Sequence, residues 1–253
     1  MGIIKQKLLA GATHPLVTQS EYDKVEILKQ ACEALSRMCN KSVYVLDYAK
    51  QDFFYMSPHP LFLCGYTVEE ALEMGVDFYE KTIAPENQEM MLELCRTGRQ
   101  FFAEAVQDDN KGCDVIMSYD IYLQHKDGTK TLINHKLSPL CMTESGEMWL
   151  VICVVDYSSR KKAGNVVYSR NDKTEYYTYD FCKKQIFPYH PPKLTKREKE
   201  ISLLTMRGYN VKMIAEELGI SQNTVKNHRT HIEEKLSSSN LFDTITTFYS
   251  TLV

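Results

Sequence analysis

The sequence predicts two domains of different class: an α+β domain on a five-stranded antiparallel sheet, followed by an all-α domain of four short helices. Three observations carry this. Between residues 41 and 163, five runs alternate in the period-two manner of strands, with helical spacing only between the second and third. Asp127-Gly128 and Glu144-Ser145-Gly146 separate the last three of those runs, as tight hairpin turns do. From Leu194 the apolar spacing turns helical, and capping signals recur at the start of each segment.

Length agrees, since 253 residues exceed one small helical domain and suit two cores. A hydrophobic fraction of 43% with 25% charged residues belongs to folded globular chains, which excludes a disordered polar tail. The net charge of −3 divides unevenly: residues 193–253 sum to +2 and residues 1–192 to −5. A polyanion would therefore be met by the C-terminal end, and only weakly by a single copy. The eight cysteines show no CxxC and no metal-ligand spacing, which suits free thiols in a reducing compartment. No run is long enough to span a membrane and no signal-peptide core is present, so a cytoplasmic protein is expected.

Taken in order, residues 1–40 comprise a leader and an amphipathic helix. Thr18 and Glu21 form a capping box, and Val25, Leu28, Cys32, Leu35 and Cys39 make one stripe. That stripe either packs on the next domain or pairs with its copy. Ser42–Asp47 and Phe53–Met56 read as the first two strands. Helices follow at Val68–Met74, opened by Thr67 and Glu70, and from Glu86 to about Ala105. Asp114–Lys126, Lys130–Met142 and Met148–Tyr157 complete the sheet. His135 shares strand parity with Ile133 and Leu137, so it points to the apolar side, as a ligand or as a core histidine with a hydrogen-bond partner. Residues 164–192 read as a hairpin around Arg170–Lys173, dense in aromatics, packing the last domain against the sheet domain or a partner protomer. Pro188, Pro191 and Pro192 end it.

In the last segment, 193–253, Thr195 and Glu198 box the first helix and Gly208 ends it. Asn210 caps the second, Gly219 turns the chain, and Ser221 caps the third. On that third helix Val225, Ile232 and Leu236 fall on one side, while Asn223, Lys226, Asn227, Thr230 and Glu234 fall on the other. A helix–turn–helix uses this division, one face locked on its neighbours and the other in the DNA major groove. Lys226 and Asn227 suit guanine and adenine edges. Lys212, Thr224, Arg229, His231 and Lys235 are placed for phosphates.

The motifs Leu194-Thr195-x-Arg197-Glu198-x-Glu200-Ile201, Ile214-Ala215-x-x-Leu218 and Ile220-Ser221-x-x-Thr224-Val225-Lys226-Asn227-His228 resemble the LuxR/GerE-type helix–turn–helix of bacterial transcription regulators. Val211 and Met213 depart from that family's usual Asn and Glu. The resemblance implies dimeric DNA binding through a fourth helix, Asn240 to Leu252. Residues 41–163 resemble a PAS sensor domain at Leu63-Cys64-Gly65-Tyr66-Thr67, at His125-Lys126-Asp127-Gly128-Thr129 and at Val154-Val155-Asp156-Tyr157. The expected partners are double-stranded DNA, a second copy, a small molecule in the PAS-like domain and RNA polymerase. The cofactor is unknown. Phe62, Cys64, Tyr119, Ile121, Leu137, Cys141 and Cys153 would line an apolar pocket, and the same residues also describe a filled core. No phosphate loop, HExxH, GxSxG or histidine-kinase pattern points to an enzyme. A promoter-tethering dimerisation module without ligand sensing is the alternative.

Overall fold

The computed structural model describes residues 15–109, 114–170, 175–190 and 193–236. The expected fourth helix of the last domain lies outside them. Two compact units emerge, one holding the chain up to Ser158 with Lys162–Tyr189, the other holding Ser159–Lys161 and the chain from His190.

The first unit begins with α1 (Gln19–Val25) and α2 (Ile27–Cys39), started by the expected Thr18–Glu21 capping box. Strands β1 (Ser42–Asp47) and β2 (Asp52–Met56) follow, then the short helices α3 (Pro60–Leu63), α4 (Val68–Met74) and α5 (Phe78–Thr82). The Thr67–Glu70 box opens α4 as the spacing predicts. The long helix α6 (Gln88–Asp109) precedes β3 (Ile116–Gln124), β4 (Lys130–Met142) and β5 (Met148–Tyr157). Gly128 holds φ +83° between β3 and β4, where a side chain would be strained, and Asp127 Oδ1 accepts from the Thr129 N–H at 2.9 Å.

Five antiparallel strands in the order β2-β1-β5-β4-β3 form the expected sheet, but the sheet does not stop there. Strands β6 (Gly164–Arg170), β7 (Glu175–Asp180) and β8 (Gln185–Pro188) continue it from the edge of β3, giving eight. The aromatic hairpin is therefore sheet and not linker. Its tyrosines pack on their own unit: Tyr168 is fully buried and bonds Thr97 Oγ1 on α6 at 2.8 Å, with Phe101 tilted against its ring at 4.7 Å. The edge N–H and C=O groups of β3, which would otherwise be exposed pairing sites, are satisfied by β6.

Both faces of the sheet are covered, which explains the unbroken apolar run Val43-Tyr44-Val45. Tyr44 points toward α3–α6 and enters the main core. Val43 and Val45 point the other way, into a smaller cluster with Tyr22, Cys32 and Trp149 beneath α1 and α2. Among the described helices none is long and apolar enough to cross a membrane.

The second unit packs α7 (Lys196–Met206), α8 (Val211–Leu218) and α9 (Gln222–Leu236) around Ile201, Ile214, Val225 and Ile232, each completely buried. Gly219, at φ +62°, takes the left-handed turn between α8 and α9.

Candidate nucleic-acid interface and interior cavity

Helix α9 is positioned by caps and by two cationic pins. Ser221 Oγ accepts the Thr224 N–H at 3.0 Å, which starts α9, and Asn210 Oδ1 accepts the Met213 N–H at 3.0 Å, which starts α8. Arg197 Nη2 donates to the Leu218 carbonyl at 2.8 Å, placing positive charge on the free carbonyls that end α8. Glu198 accepts twice from Lys235 Nζ, at 2.7 and 2.8 Å, while also taking the Thr195 N–H at 2.7 Å. Burial pushes the Glu198 carboxyl up, but Lys235 and Thr195 outweigh it and hold it below the ordinary carboxylate range. Arg197 thus ties the end of α8 to α7, and Lys235 ties the end of α9 to α7.

With Val225, Ile232 and Leu236 locked inside, α9 presents Asn223, Lys226, Asn227 and Thr230 to solvent together. Thr230 Oγ1 bonds the Lys226 carbonyl at 3.3 Å. Arg229 is half-buried and His231 exposed at the sides of this face. Thr224 faces Ser221 at 2.8 Å, and Lys212 on α8 stands near Glu216 at 4.0 Å. Lys235 is the exception among the expected phosphate contacts. Its ammonium is paired with a carboxylate on a residue that is only 3% exposed.

In the first unit a cavity of about 60 Å3 lies between the sheet and α6. Tyr119, Leu137 and Cys153 line it, together with Leu94, Cys95 and His135. The other four residues assigned to the pocket do not. Phe62 stacks on Tyr44 with ring centres 4.3 Å apart, and Cys64 and Ile121 fill the same packed core. Cys141 shares sequence parity with Leu137, but β4 bulges between Pro139 and Cys141. The extra residue reverses its side, and Cys141 joins the cluster under α1 and α2.

A hydrogen-bonded chain crosses the cavity wall. Tyr119 OH meets His135 Nδ1, His135 Nε2 meets Tyr44 OH at 2.7 Å, and Tyr44 OH meets Tyr79 OH at 2.6 Å. Burial drives the His135 pKa down to about 3, so the imidazole is neutral, donating from one nitrogen and accepting at the other. Both ring nitrogens are thereby occupied by tyrosines. His135 is a core histidine with partners. No group of three or more metal-ligating side chains occurs among the described residues. Desolvation also pushes the Tyr44, Tyr79 and Tyr119 hydroxyls well above their ordinary range and Cys95 up to about 11, which keeps these four groups uncharged.

Residues 192–248 match the family of bacterial regulatory proteins, luxR family. The C-terminal unit is a LuxR-type helix–turn–helix. Within this LuxR-type unit, 44 residues are 46% identical to a putative HTH-type transcriptional regulator of Aeromonas salmonicida, covering 17% of this chain and 22% of that one. A further 44-residue match, 52% identical, is to the oxygen regulatory protein NreC of Staphylococcus carnosus, covering 17% and 20%. The chain thus spans about a fifth of the length of these curated relatives. The dimeric LuxR-type receptor VqmA of Vibrio cholerae is a structural neighbour at 15% identity and TM-score 0.32, over 91% of this chain and 86% of that one. The first unit has the expected PAS-like fold, an antiparallel sheet with α3–α6 across one face, with α1 and α2 on the other and β6–β8 extending it.

Two features of the LuxR-type unit escaped the sequence reading: the Arg197 pin on α8 and the Lys235–Glu198 pair. Both link residues twenty or more positions apart, where helical periodicity carries no signal. The Tyr44–Tyr79 bond likewise joins strand to helix across 35 positions.

Proposed function

We propose that this protein is a non-enzymatic, sequence-specific DNA-binding transcription regulator whose PAS-like unit takes a small ligand. The observation that carries the reading is the solvent face of α9. Asn223, Lys226, Asn227 and Thr230 stand together there, on a helix whose opposite face is completely buried. Lys226 and Asn227 read base edges; Lys212, Thr224, Arg229 and His231 hold phosphates. Two copies set their recognition helices in successive major grooves, with half-sites about one helical turn, ~10 bp, apart. RNA polymerase is the further partner of such a regulator at a promoter.

Operator selection on the full chain tests the reading, followed by binding curves for Lys226→Ala. Specific affinity is expected to fall by roughly 1–3 kcal/mol while random-sequence DNA is bound almost as before. Equal losses on both DNAs would reassign Lys226 to a phosphate, and failure to select any sequence would remove the reading.

The cavity supports the ligand half of the proposal and sets the size of the ligand. At about 60 Å3 it is far smaller than the 300–1,000 Å3 of most ligand sites. Its wall is apolar apart from neutral tyrosines, one neutral histidine and Arg99. A compact, mostly apolar molecule that exchanges hydrogen bonds with tyrosine hydroxyls fits that chemistry. Native mass spectrometry of the full chain reads whether one is bound, and Leu94→Phe, which narrows the cavity, is expected to exclude it.

A further inference from the structure

We propose that the ligand of the PAS-like unit is a small neutral carbonyl compound. Its oxygen takes the Tyr119 hydroxyl hydrogen from Met91 Sδ, a specificity that rests on the interior cavity being a ligand site. Tyr119 on β3 and Met91 on α6 both line that cavity and are 1% and 5% exposed. The Tyr119 hydroxyl donates to Met91 Sδ at 3.2 Å. That one bond fixes the direction of the whole buried chain. A hydroxyl has a single hydrogen, so with it on Met91 the Tyr119 oxygen accepts, and His135 Nδ1 carries the imidazole proton. His135 Nε2 is then the bare nitrogen and accepts from Tyr44 at 2.7 Å, while the Tyr44 oxygen accepts from Tyr79 at 2.6 Å. Every hydroxyl hydrogen from Tyr79 to Tyr119 has an acceptor in this arrangement. The reverse arrangement would turn the Tyr44 hydrogen toward Tyr79 and leave the Tyr79 hydrogen with none of these acceptors.

The chain ends on its poorest acceptor. A thioether sulfur accepts weakly, whereas the other links end on oxygen or nitrogen. A carbonyl oxygen entering the cavity offers Tyr119 a stronger acceptor without asking any other hydrogen to move. Met91 can yield, because its unbranched side chain turns about three bonds. A ligand that only donates would instead compete with the His135 N–H for the Tyr119 oxygen. Neutrality follows from the surroundings: the imidazole and hydroxyls around Tyr119 hold no charge, and burying an unpaired one among them is costly. Arg99, the cation on the wall, is only half-buried, while Tyr79, Tyr119 and His135 are almost fully enclosed. A volume of about 60 Å3 restricts the carbon frame to a few atoms. Occupancy exchanges a tie between α6 and β3 for one between ligand and β3, while Thr97 Oγ1 still bonds Tyr168 at 2.8 Å further along α6.

Acetone and 2-methylpropene test this, because they share one shape and differ by an oxygen in place of a methylene. The full chain, labelled with carbon-13 at its methionine methyls, is titrated with each and with acetate. The Met91 methyl signal is the one missing from Met91→Leu. Acetone is expected to bind roughly tenfold more tightly than 2-methylpropene, and to move the Met91 signal as the sulfur loses its hydrogen bond. Tyr119→Phe is expected to abolish that preference, and Met91→Leu to raise it several-fold, because nothing then competes for the hydroxyl. Equal binding of acetone and 2-methylpropene would overturn the carbonyl specificity and leave the cavity a ligand site. Binding of neither, nor of acetate, would end both readings. A preference for acetate would overturn the neutral ligand in favour of an anion held at Arg99. The wild-type preference decides the question even if Tyr119→Phe does not fold.

Discussion

His135 shows how much one buried side chain can impose. In the unfolded chain its imidazole takes up a proton near pH 6.5, whereas in the folded chain burial holds that event down to about pH 3. Between those values the unfolded state binds more protons, so the stability contributed by the neutral imidazole is complete above pH 6.5 and is lost as pH falls toward 3. The slope approaches about 1.4 kcal/mol per pH unit within that window. Replacing it by glutamine, His135→Gln, keeps a polar group but removes the titration. Urea melts at pH 7 and pH 5 are expected to show a smaller pH dependence for the variant than for wild type. At pH 7 the variant itself should lose about 1–3 kcal/mol, since the Tyr44 and Tyr119 hydroxyls each lose their bond to the imidazole and keep only Tyr79 and Met91 Sδ. An unchanged difference between the two pH values would mean that the histidine is hydrated in solution.

At the scale of elements, local signals were legible and long-range ones were not. Capping boxes at Thr18, Thr67 and Thr195 appear where the spacing places them, because a box is written within four consecutive residues. The buried face of α9 was readable for the same reason, since the period of a helix is local. The hairpin read around Arg170–Lys173 forms, with Gly164–Arg170 paired to Glu175–Asp180, but a hairpin's sequence states only that two strands pair and not which edge receives them. Cys141 was misplaced because a bulge changes parity without a sequence mark. The β6–β8 addition has a measurable consequence. Tyr168→Ala removes a fully buried ring that spans β6 and α6 and leaves Thr97 Oγ1 without this partner. A loss of roughly 3–5 kcal/mol in denaturant melts is expected, the range for truncating a core aromatic. A linker residue would cost almost nothing, so the size of the loss discriminates. Likewise Lys235→Met, which strips the ammonium from Glu198, is expected to destabilise the LuxR-type unit by about 1–3 kcal/mol. If Lys235 instead served a phosphate, the variant would keep its melting point and lose DNA affinity.

Across the whole molecule, charge makes the proposed DNA binding depend on pairing. The chain is net negative, and its C-terminal part carries only +2. With Lys235 committed to Glu198, one copy brings few cations to the phosphates, chiefly Lys212 and Arg229. A single unit with two or three such contacts has a log–log salt slope of only ~−2 to −3, too shallow for strong binding at physiological ionic strength. Pairing two copies doubles the contacts and makes the second engagement intramolecular, so affinity rises without any new type of contact. On an operator with two half-sites the protein is expected to bind far more tightly than on one half-site, and with about twice the salt slope. Fluorescence anisotropy across a salt series reads both quantities. An equal slope on the two operators would mean that one copy carries the binding and that paired half-sites are not used.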